Sequence, residues 1–78
     1  MRMKQAALVI TFATTTDAME MERFCQEREL PGRLIPLPRE ISAGCGLAWK
    51  SPPEARERLF AALTAAGCRW DTMRVIEI

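Results

Sequence analysis

Three thiols, Cys25, Cys45 and Cys68, are the nucleophiles of this 78-residue chain, and they lie 20 and 23 residues apart. There is no His, which removes imidazole acid–base catalysis, a Ser–His hydrolase and a Cys/His zinc site. No Cys-x-x-Cys pair exists for zinc or dithiol redox work, and three thiols cannot all pair within one chain. No metal or other cofactor is expected. The pattern reads as a reduced, cytoplasmic protein with at least one Cys packed as a small apolar side chain. A net charge of +1 gives no broad field of the kind that nucleic-acid or anionic-membrane binders use. Arg2 and Lys4 before the apolar run 6–13 loosely imitate a signal peptide. Cleavage there would discard the most hydrophobic strand of a small core, so export is not expected. No stretch nears the roughly 18 apolar residues of a membrane span. The length fits one domain, 1–78, since a chain of this size buries only about 60% of the surface its unfolded form exposes.

The elements that must position these thiols read as follows. Residues 6–12 (AALVITF) are apolar on both alternating faces, which suits a central strand. Thr14, Thr15, Thr16 and Asp17 offer N-cap oxygens in succession; Asp17 with Glu20 fits a D-x-x-E capping box, with Thr15 or Thr16 as alternative caps, for a helix running to about Glu29. Ala18, Met21, Phe24 and Cys25 share its apolar side. Pro31-Gly32 breaks the chain before a strand at 33–37 (RLIPL), where Pro36 demands a sheet edge. A turn-rich loop (38–46) leads to a short strand at 47–50. Ser51-Pro52-Pro53-Glu54 reads as N-cap, N1 and N3 of a second helix, with Ala55, Leu59, Ala62, Leu63 and Ala66 inward and Gly67 as its stop. A last strand covers about 72–78. The order βαββαβ with right-handed crossovers predicts an α+β, ferredoxin-like two-layer sandwich: a four-stranded antiparallel sheet ordered 4-1-3-2, with both helices on one face.

That topology makes the thiols unequal. The start of the first helix, the loop between strands two and three, and the link from helix two to strand four share one end of the sheet. Cys45 lies in that loop and Cys68 in that link, whereas Cys25 falls on the apolar side of helix one and reads as core. Around Cys45, Ser42, Gly44 and Gly46 leave little side-chain bulk, so a large partner could approach the sulfur. Glycine backbone N–H groups could turn inward as an anion nest, and the N-terminus of helix one with Thr15 and Thr16 lies at the same end. Arg33 and Arg39 could add positive charge. Surroundings of this kind enrich the thiolate. The alternative is a tight hairpin entry whose Cys is a small apolar filler, and the residues alone leave the two readings level.

Thr11-Phe12 leading into 15–18 (TTDA), and above all residues 32–48 (GRLIPLPREISAGCGLA), resemble the selenium/sulfur carrier-like family. The resemblance implies that Cys45 holds sulfur or selenium as a persulfide or perselenide. It implies as partners a cysteine desulfurase-type donor and a sulfur or selenium acceptor protein, and a carrier rather than an enzyme. Cys25 and Cys68 lie outside the motif and inherit no role, and the Cys-Pro-x-Pro motif of better-known chalcogen carriers is absent. Cys68 could resolve Cys45 only if their Cα atoms lie within about 7 Å; otherwise it is core. The competing function is a non-catalytic regulatory or interaction module, with Cys45 structural and a homodimer as one form, for which Trp49, Trp70 and the Met residues could supply apolar contact. RNA binding is not expected, because the strands lack paired exposed aromatics.

Overall fold

The computed structural model describes residues 4–41 and 44–78. Strand β1 (Ala6–Thr11) leads to helix α1 (Thr15–Glu27), then β2 (Arg33–Pro36), β3 (Leu47–Ser51), a single 3-10 turn (Pro53–Ala55), helix α2 (Arg56–Ala66) and β4 (Met73–Glu77). The strands form one antiparallel sheet ordered β2-β3-β1-β4. The chain is an α+β sandwich of the ferredoxin-like kind.

The apolar run of β1 takes the centre of the sheet, paired with β3 on one side and β4 on the other, and residues 7–12 are all buried. Leu8, Ile10 and Phe12 pack with Ala18, Met21 and Cys25 of α1 and with Leu59 and Leu63 of α2, so both helices lie on one face. Val9 faces the other way and is just as buried, because Ile41 from the β2–β3 loop lies over it and over Ala48. Pro36 sits on the edge strand β2, where its missing N–H leaves no ladder bond unmade. Gly32, at φ 121°, lies against the indole of Trp49, whose Nε1–H donates to the Pro31 carbonyl (3.2 Å).

Both predicted helix starts need correction. Thr14, not Asp17, Thr15 or Thr16, caps α1: its Oγ1 accepts the Asp17 N–H (3.1 Å). The first Thr of the run wins because its backbone is still extended (φ −136°, ψ 157°), as an N-cap requires. The Ser51 capping box does not form either. Ser51 is the last residue of β3, directly opposite Leu8 and buried, and no side chain caps the 3-10 turn or α2. Pairing with β1 outweighs the local cap signal, and the two prolines spend one tight turn before α2 begins at Arg56. Ala66 is exposed rather than inward and Ala62 is half-buried.

The helix ends follow the residues more closely. Gly67, left-handed at φ 72°, stops α2, and the Cys68 N–H that follows bonds the Leu63 carbonyl (3.0 Å). Helix α1 stops at Glu27, two residues short of the expected end. Glu29 takes the left-handed position (φ 54°) and the Leu30 N–H reaches back to the Cys25 carbonyl (2.8 Å).

Candidate functional site

The β2–β3 loop is closed at its base by the Leu37 N–H donating to the Gly46 carbonyl (3.0 Å). At its far side the Ile41 N–H bonds the Pro38 carbonyl (3.0 Å), and the Ile41 side chain is pressed onto Val9 and Ala48. Cys45 packs into the helix-side core instead. Two residues four apart thus anchor the loop on opposite faces of the sheet, and the loop straddles the sheet's end.

Each predicted site residue has a distinct place. Gly44 abuts the β1–α1 link: a Cβ there would stand 2.7 Å from the Ala13 carbonyl oxygen. This contact brings the cysteine loop to the start of α1, where Thr15 and Thr16 are exposed on the first turn. Gly46 is exposed, and a Cβ on it would meet nothing within 4 Å. Its φ is not positive, so the left-handed alternation of an anion nest is not built on Gly46. Arg39 is exposed in the turn closed by the Ile41 N–H and the Pro38 carbonyl. Arg33 stands opposite Lys50, three residues along β3 from Leu47, and does not flank Cys45. Ser42 lies outside the described residues.

Cys45 itself is only 7% exposed. Its sulfur receives the Leu47 N–H at 3.3 Å, and its S–H reaches the Leu47 carbonyl at 3.6 Å. The approach by a large partner expected from its small neighbours is therefore not open in this conformation. Two contributors escaped the sequence reading: the Ala13 carbonyl and the Leu47 backbone. Neither has a side-chain signal, because both act through main-chain atoms.

The other two thiols are close enough to influence each other. Burial pushes the Cys25 thiol up to about 11, and the nearby Cys68 adds to the rise. Cys68 is raised by burial and then by Glu20. Both pack with the helix-side core and both are free. A thiol whose ionisation is raised by folding stabilises the fold fully below the unfolded value, near 9, and loses that contribution as pH climbs through the folded value. Stability should therefore fall between about pH 9 and 11, and Cys25→Ala should flatten that decline in urea midpoints taken across the window. An unchanged slope in the variant would remove Cys25 as its source.

Among the described residues no group of three Cys, Asp or Glu could hold a metal ion, and no helix is long and apolar enough to cross a membrane. No curated protein and no solved structure matches the chain. A family model described as "Putative Se/S carrier protein-like" matches residues 7–73, from the second residue of β1 to the first residue of β4, with the whole cysteine loop included. By that match, over most of its length, the chain belongs to the Se/S carrier protein-like family.

Proposed function

We propose that this protein is a cytoplasmic carrier that holds sulfur or selenium on Cys45 between a cysteine desulfurase-type donor and an acceptor protein. The observation that carries the reading is the seat of Cys45, the one thiol in the stretch 32–48 on which the resemblance rests: it lies between two glycines, Gly44 against the Ala13 carbonyl before α1, with the Leu47 N–H on its sulfur. The step is a thiol exchange without net oxidation. The Cys45 thiolate attacks the outer sulfur of the donor's persulfide, a new S–S bond forms, the donor's S–S bond breaks, and the donor cysteine leaves as its thiolate. The persulfide on Cys45 is then attacked at its outer atom by the acceptor, which regenerates the Cys45 thiolate. Neither step needs a metal or a general base supplied by this chain.

The test is intact mass after incubation with a cysteine desulfurase and cysteine or selenocysteine. Wild type and a Cys25→Ser/Cys68→Ser variant should each gain one chalcogen atom, and Cys45→Ser should gain none. Equal loading of Cys45→Ser, or no loading under conditions that load another carrier, would sink the proposal.

A second reading draws on a specific observation, the burial of Cys45 in the helix-side cluster. There the protein is an interaction module or homodimer, and Cys45 only fills the core. Exposed Phe60 and Val75 would offer contact surface. This reading predicts that Cys45→Ala costs stability and that no thiol is loaded.

A further inference from the structure

The sheet face away from the helices carries a charge pattern that the thiol chemistry does not use. Arg33 and Lys50 are directly opposite each other across β2 and β3, which puts their Cβ atoms about 5 Å apart on one face. Like charges so placed repel, and the fold keeps them together. Arg74 lies in the same cross-strand line beyond Val9. The other strand positions on that face are Ala7, Thr11, Ile35, Ala48 and Ile76, with no carboxylate among them. Arg33 and Lys50 line a groove of about 1140 Å³ whose apolar lining includes Ala7, Ile35 and Ile78, and Glu54 also borders it. Phe12 and Trp49 pack on the helix side, so this face has no aromatic platform for stacking bases.

We propose that this groove docks an acidic, partly aliphatic segment of a partner protein, carboxylates meeting Arg33 and Lys50 and aliphatic side chains meeting Ile35 and Ile78. Charge complementarity selects the occupant: two cations forced together over an apolar floor match carboxylates spaced along an extended chain. The inference deepens the carrier reading by giving the chemistry of the donor or acceptor, and rests on that reading only for what the partner does. Lys50 lies four residues, about 13 Å, along β3 from Gly46 at the end of the cysteine loop, so a partner held by Arg33 and Lys50 leaves the thiol's end of the sheet free.

The test titrates isotopically labelled protein with a synthetic peptide of alternating Glu and Val, following backbone amide shifts. Saturable shifts are expected at Ala7, Arg33, Lys50 and Ile78, weaker at high salt, and absent with a Gln/Val peptide. Arg33→Gln with Lys50→Gln should weaken binding by about tenfold or more, while Arg23→Gln with Arg58→Gln, on the helix side, should not. The double variant relieves a like-charge pair, so its fold should be retained, and its melting curve checks this. Shifts confined to the cysteine loop, equal binding by the Gln/Val peptide or the double variant, or tighter binding of a single-stranded RNA of equal charge would overturn the proposal. Desulfurase-dependent loading of the wild type, read beside the titration, separates the two ideas. Wild-type protein that binds the peptide but is not loaded keeps the groove and removes the carrier, and loading without peptide binding does the reverse.

Discussion

Gly32→Ala should be the most damaging single substitution outside the hydrophobic core. An added Cβ would stand 2.3 Å from Trp49 Nε1, 2.6 Å from the Lys50 carbonyl oxygen and 2.7 Å from Trp49 Cε2, on a residue held at φ 121°. Two penalties combine, overpacking and a backbone conformation that side chains avoid, each about 1–3 kcal/mol. The indole has little room to yield, because Trp49 is buried and its N–H is bonded to Pro31. A sum of roughly 2–6 kcal/mol is a large share of the roughly 4–12 kcal/mol expected for a domain of this size. The melting midpoint should fall by roughly 10–45 °C. Gly67→Ala isolates the conformational part: it is also left-handed, but its Cβ would meet open space, so a loss of about 1–2 kcal/mol is expected. If the two variants melt together, the clash with Trp49 is not what fixes Gly32.

The second large effect concerns the thiol's seat. Gly44→Ala should force the cysteine loop away from the Ala13 carbonyl, because the atom in the way belongs to the backbone and cannot rotate aside. On the carrier reading, a persulfide on Cys45 should then be lost to an added small thiol markedly faster than from the wild type. Alkylation of Cys45 by a small reagent should rise, since the loop no longer closes over the sulfur. Gly46→Ala is the control, as its Cβ would point into open space. Gly44→Ala and Gly46→Ala behaving alike in both assays would show that the contact with Ala13 does not seat Cys45.

The topology was legible because a few residues constrain it tightly. An all-apolar β1 has to be central, a proline in β2 has to be at an edge, and a glycine after Ala66 has to stop α2. The first two, with the right-handed crossovers of a βαββαβ chain, select the observed strand order. The cap of α1 was less legible, because three threonines and an aspartate in succession offer equivalent oxygens and only the backbone angle chooses Thr14. Ser51 misled for a different reason. Its local pattern is a helix start, but its register opposite Leu8 extends β3 through it, and register is a long-range property.

At the site, the sequence pointed to Cys45 and to the end of the sheet it shares with α1. It could not show the sulfur's burial, which depends on a loop anchored on both faces. Nor could it place Arg33, which the register of β2 sets opposite Lys50, away from the cysteine loop.

The covered sulfur has a consequence for the economy of transfer inside a cell. A persulfide open to solvent is drained by every small thiol that collides with it, and its outer atom is lost to oxidants within the same reach. At 7% exposure, Cys45 is shielded from most such collisions while the loop stays seated between Ala13 and the sheet. On the carrier reading, a stored chalcogen atom would therefore leak slowly and be released chiefly by a partner large enough to lift the loop. Fidelity of delivery would then be set by who can open the seat, rather than by how tightly any acceptor binds.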